Sequence, residues 1–199
     1  MMDLEQAAGQ SGVIPPDKVA SLLASLKKVP DYSWCLTPPH TSQERLQGDV
    51  LSDFPVALVD DAGSPRCKKL AVLVLNNTCD LQPSRSQFVT VAPVMDFGLF
   101  SQSVIATRGP DRARNYLHDV RANHIYEMLW LPCFASFKEG AVVFLDRVGA
   151  ASTKLYEDAL RERRRLASFS QNGFYFLLIK LTNHIARMET DEIARVEVG

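Results

Sequence analysis

The segment Lys68-Lys69-Leu70, running into Ala71-Val72-Leu73-Val74-Leu75 and ending at Asn76-Asn77, constrains this chain most. Its apolar run has no polar alternation and is bounded by lysines and asparagines. A strand buried on both faces has this texture, so it is expected at the centre of a sheet. Shorter β runs surround it. GDVLSDF and PVALVD precede it across the turn-rich DAGSPR, and FVTVAPV follows it across TCDLQPSRS. Pro93 should mark the end of that last strand or an edge, since proline cannot donate to a ladder. Further on, YEMLWLPCF and GAVVFLDRVG, connected by Lys138-Glu139-Gly140, predict a hairpin, and TKLYE a further short strand.

Helical patterns bracket and interrupt these runs. Pro16 and Asp17 open a helix whose Val19, Leu22, Leu23 and Leu26 share a stripe, and Lys27, Lys28 and Pro30 close it. Residues 110–124 predict a second helix, inserted among the strands. Ala113, Leu117, Val120 and His124 share its inner face, and Arg108, Arg112, Arg114 and Arg121 make its outer face basic. In the last helix, Ser168 and Gln171 read as a capping box. Phe174, Leu177, Leu178, Leu181, Ile185 and Met188 form its stripe, and Gly173 weakens its first turn. Residues 1–12 are expected to be disordered, 13–47 to be a helix and surface linker, and 48–199 to be one domain. Tight turns rather than crossover helices join the strands, which predicts α+β with an antiparallel, barrel-like sheet.

Charge and composition narrow the function. Lys+Arg number 22 and Asp+Glu 23 in 199 residues, a net charge of -1, so nucleic-acid contact would have to come from a local patch. No apolar run approaches the roughly 18–20 residues a membrane helix needs, and no basic-then-apolar leader opens the chain. Cys35, Cys67, Cys79 and Cys133 form no CxxC pair and read as reduced thiols in a cytoplasm. His40, His118, His124 and His184 lack ligand spacing, so neither metal nor cofactor is expected.

Three places carry candidate chemistry. Arg161-Glu162-Arg163-Arg164-Arg165 is the densest charge. Together with Lys154, Lys68, Lys69 and the arginines of the inserted helix it is either a phosphate-binding face or a solvated segment paired with Glu157, Asp158 and Glu162. Cys79 and Asp80 follow the central strand as a candidate pocket or nucleophile. The alternative there is a turn hydrogen-bonded by Asn and Asp, with Cys79 filling the core. Asp49 opens a strand, where it either ties a turn or orients Lys68 or Lys69.

Gly48-Asp49-Val50, then Lys68-Lys69-Leu70 leading into Ala71 to Asn77, then Val89-Thr90-Val91-Ala92-Pro93-Val94, resemble the core of the MazF/PemK/Kid-like toxin family in order and spacing. The likeness spans residues 48–94. It implies a small SH3-like β-barrel with helices, usually a homodimer, and in active members metal-free cleavage of single-stranded RNA. Some related barrels only bind. The family's arginine before proline corresponds to Lys69-Leu70, and its hydroxyl residue to Met95-Asp96. Metal-free cleavage needs a cation for the phosphate and a base for the 2′-hydroxyl. The resemblance assigns these to Lys69 and Asp96, with Asp49 beside them. Arg66, Lys68, Arg163, Arg164 and Arg165 would contact single-stranded RNA or DNA. The alternative is a non-enzymatic module that docks an antitoxin or serves as an accessory subunit of a larger bacterial or phage-defence complex.

Overall fold

The computed structural model describes residues 14–39, 41–59, 62–82 and 85–185. The expected disorder of residues 1–12, His40, and the end of the last stripe at Met188 lie outside the described residues. Helix α1 (Pro16–Leu26) and a 3-10 turn (Ser33–Cys35) precede strands β1 (Leu36–Thr37), β2 (Val50–Val59), β3 (Pro65–Val74) and β4 (Phe88–Asp96). Helices α2 (Phe97–Arg108) and α3 (Pro110–Arg121) follow, then β5 (Met128–Leu131), β6 (Ala141–Phe144) and β7 (Gly149–Ser152). The described chain ends with α4 (Thr153–Arg161), β8 (Arg165–Phe169) and α5 (Gln171–Ile185).

The fold is α+β. All pairings are antiparallel, in the order β1-β8-β2-β3-β4-β6-β5, with β7 also paired to β4. β3 lies at the centre of that order, and its Val72, Leu73 and Val74 are buried. Leu73 faces a core shared with Val50, Ala92, Val94 and Val143, covered by Leu22 and Leu26 of α1 and Phe176 and Leu177 of α5. Val72 and Val74 face the opposite core, with Phe54, Val91 and Tyr156 of α4. A third cluster packs α2 and α3, through Phe97, Phe100 and Val120, onto Val142 and Phe144 of β6.

The sheet is not closed. β7 curls towards β2: a Cβ built on Gly149 would lie 3.5 Å from Val56 Cγ1.

Several local expectations are corrected. Pro93 neither ends nor edges β4 but sits inside it, opposite Val72. On its other side β4 pairs with β7 over Phe88–Val91 and with β6 over Val94–Asp96, so the proline occupies the gap where the partner changes and no donor is needed. TKLYE is helical: Ser152 caps α4 by accepting from Lys154 N at 3.3 Å, and Thr153, Tyr156, Ala159 and Leu160 form its buried stripe. The predicted helix 110–124 is α3, which ends at Arg121 with His124 beyond it, and the helix α2 that precedes it was not expected. Helix α5 is capped by Ser170, whose Oγ accepts from Gly173 N at 3.0 Å, and not by Ser168.

Candidate nucleic-acid interface

The Gly48-Asp49 pair forms a corner held from three sides. Gly48 adopts φ +88, and a Cβ there would meet Phe169 Cδ2 at 2.3 Å, so only glycine fits. The backbone continues the β3 ladder, with Gly48 N donating to Val74 O at 2.9 Å and Val74 N to Asp49 O at 2.9 Å. Asp49 is fully buried. Its carboxylate pairs with the Arg165 guanidinium at 2.9 Å and accepts from Tyr156 Oη at 2.5 Å and Ser168 Oγ at 2.7 Å. Burial and the adjacent carboxylate hold the Tyr156 phenol well above its ordinary range, so it stays a donor. Arg165 also donates to Ser42 O at 3.2 Å and to Glu44 O. Asp49 therefore orients Arg165 rather than Lys68 or Lys69. Arg165 is 6% exposed and held from within, which removes it from an outward phosphate-binding face.

The exposed charge lies elsewhere. Pro65 to Lys69, the first half of β3, are all exposed, and Arg66, Lys68 and Lys69 are three of these five residues. Arg163 is exposed in the left-handed turn (φ 56) that ends α4. Arg164 pairs with Glu162 at 2.9 Å and donates to Asp53 O at 2.8 Å. Next to Asp53, Phe54 pairs with Leu70, which adjoins Lys69. The α4–β8 corner and the basic half of β3 are thus linked through two neighbouring backbone positions. Among the described residues, Lys68, Lys69 and Arg163 form no ion pair.

Lys69 and Asp96 sit on adjacent strands. The β3–β4 pairing stops at Ala71 and Val94, and the same register carried two residues further would set Lys69 opposite Asp96. Asp96 pairs with Ala141 of β6 and caps α2, its Oδ1 accepting from Leu99 N at 3.1 Å. Asp49 lies in the buried corner, bonded to other partners.

The loop after β3 is a hydrogen-bonded turn. Asn77 Oδ1 accepts from Cys79 N at 2.9 Å, and Asn77 O accepts from Asp80 N at 2.9 Å. Arg45 holds the far side, donating to Leu81 O at 2.8 Å and pairing with Glu157 at 2.7 Å. Cys79 and Asp80 are exposed, so Cys79 does not fill the core. Among the described residues, no three His, Cys, Asp or Glu side chains come together as metal ligands, and no helix is long and apolar enough to cross a membrane.

No family model and no curated protein matches the chain.

Proposed function

We propose that this protein binds single-stranded nucleic acid along the basic half of β3 and the adjoining Arg163–Arg164 corner. One observation carries the reading: five consecutive exposed residues, three of them cationic, stand on the strand whose other half is buried. Lys68 and Lys69 have no ion-pair partner among the described residues, so a phosphate would meet charge that is not already neutralised. In this reading the open sheet, with β7 curled towards β2, is a diverged SH3-like barrel of the MazF/PemK type, and RNA is the first ligand to test.

Binding is favoured over cleavage by the state of the three candidate catalytic groups. Asp49 is enclosed, Asp96 Oδ1 is committed to a helix cap, and Lys69 offers a point charge where the family has the two-pronged arginine. The test is a salt titration of a labelled single-stranded RNA in chelator, with intact and cleaved RNA resolved on the same samples. We expect binding whose dependence on log salt is shallower by about 1.4 in Lys68→Ala/Lys69→Ala, at about 0.7 per phosphate contact. Binding with an unchanged slope in that variant would discard the β3 surface. Cleavage that survives chelator and vanishes in Lys69→Ala would replace binding with metal-free ribonuclease activity.

A further inference from the structure

Two of the cavities beside the β1–β8 edge adjoin each other. The larger, about 590 Å³, is a mainly apolar cleft walled in part by Leu36, Pro132, Cys133, Phe134 and Leu166. The smaller, about 310 Å³, is lined by Pro39, Thr41, Ser42, Leu160, Arg163 and Arg165. Both include Pro39 and Arg165, which join them into one groove. Among the described residues, no carboxylate lines either cavity. Of the carboxylates close in sequence to the lining residues, Asp31 accepts from Ser33 N at 2.9 Å, Glu44 accepts from Ser42 Oγ at 3.3 Å, and Asp158 and Glu162 pair with Arg161 at 3.1 Å and Arg164 at 2.9 Å. Arg165 is neutralised from inside by Asp49 and gripped by two carbonyls, so it is a fixed wall. Arg163 is exposed and has no ion pair among the described residues.

We propose that this groove takes a short run of single-stranded nucleic acid, with a backbone phosphate at Arg163 and one or two bases in the cleft against Phe134 and the prolines. The proposal rests on the nucleic-acid reading above and extends its surface past the α4–β8 corner. Charge complementarity selects the occupant: one open cation, apolar walls and no acid suit a phosphate chain carrying flat bases, which stack on aromatic faces without regard to sequence. The cleft volume lies within the range of small-molecule sites. A peptide added as a strand is a poorer fit, because β1 has only two residues and is followed by Pro38 and Pro39, which have no N–H to donate.

Cys133 gives a direct readout, since its thiol is exposed and lines the cleft. In Cys67→Ser/Cys79→Ser it is the one exposed cysteine left among the described residues, Cys35 being buried. The rate of Cys133 alkylation by N-ethylmaleimide is measured with and without an eight-nucleotide uridine RNA. With RNA held at ten times Kd, the rate should fall about tenfold, because only the free fraction reacts. Arg163→Gly, which relaxes the left-handed turn, should bind with a salt slope lower by about 0.7. RNA that binds while Cys133 reacts at an unchanged rate overturns the groove and leaves the β3 surface standing. RNA that does not bind at all overturns both.

Discussion

Asp49 and Arg165 show what a buried charge demands of its neighbours. Each is enclosed, and the carboxylate is completed by Tyr156 and Ser168. Removing one partner leaves an uncompensated charge in a region of low polarity. Asp49→Asn should therefore cost about 3–5 kcal/mol, and Asp49→Asn/Arg165→Met should recover part of that loss, as urea unfolding can measure. A double variant no better than the single one would mean that the pair is less enclosed than described. Asp49 was legible in the sequence as an acid opening a strand. Its partner was not, because Arg165 stands at the end of an arginine-rich run and nothing in the composition says which of those side chains turns inward.

Lys180 is a second enclosed charge, donating to Asn123 O at 3.1 Å and Ile125 O at 2.6 Å just past the end of α3. Burial pushes its ammonium down to about 7, with Glu127 opposing the shift. The unfolded chain keeps that proton to about pH 10.4, so from about pH 7 upward it binds more protons than the native state, and stability contributed by this group rises with pH. Below about pH 7 both states are protonated and the burial penalty is complete. Tyr32, pushed up to about 12 mainly by burial, works the other way only above its ordinary value of 10.0. Between pH 7 and 9, wild-type unfolding free energy should rise by about 2 kcal/mol relative to Lys180→Met. A parallel pH course for the two proteins would refute this. No polarity pattern reveals such a lysine, because it occupies a core position that ordinarily reads as solvent-facing.

At the scale of elements, helix α5 shows how a correct assignment can carry too narrow a face. The sequence stripe is Phe174, Leu177, Leu178, Leu181, Ile185 and Met188; Leu177 is buried, and Phe174, Leu178 and Leu181 pack against the same core. The buried set is Gly173, Tyr175, Phe176, Leu177, Ile179 and Lys180, and Ile185 is 81% exposed. Close docking sets the rotation: a Cβ built on Gly173 would lie 2.0 Å from Cys35 O, which already accepts from Ser170 N at 2.8 Å. Gly173→Ala should cost at least about 2 kcal/mol by overpacking against backbone, read from the thermal midpoint. A change within a few tenths would show that the helix can slide. Helix α2 escaped notice because its apolar residues mark no single face: Phe97, Phe100 and Val104 are buried, while Leu99 and Ile105 are exposed. Helix α4 was hidden because its first residues, Thr153 to Glu157, include Thr153 and Tyr156, which favour strands.

Across the whole molecule, the central position of β3 was legible because an unbroken apolar run has few other places to go. The curling of β7 and the change of partner along β4 were not, since both depend on pairings between distant segments. β3 and β4 divide the two largest cores and hydrogen-bond to each other over Ala71–Val74 and Val91–Val94. Their amides should exchange with deuterated water later than those of α2 and α3, which pack over one end of the sheet through β4, β5 and β6. Slower exchange in α3 than in β3 would place the stable unit elsewhere.

The sheet's outermost pairing, β1 with β8, has a consequence in time. Thr37 Oγ1 donates to Ser168 O across 131 positions of sequence, and α1 packs in the same core as α5. A ribosome adding about 5–20 residues per second needs on the order of 10 s to cover that distance. Throughout that interval the first helix has been made but lacks α5, one of the elements it packs with in that core. The apolar face of α1 must be kept from unrelated surfaces until the last strand emerges, so the early chain is a natural client for whatever shields nascent hydrophobic segments.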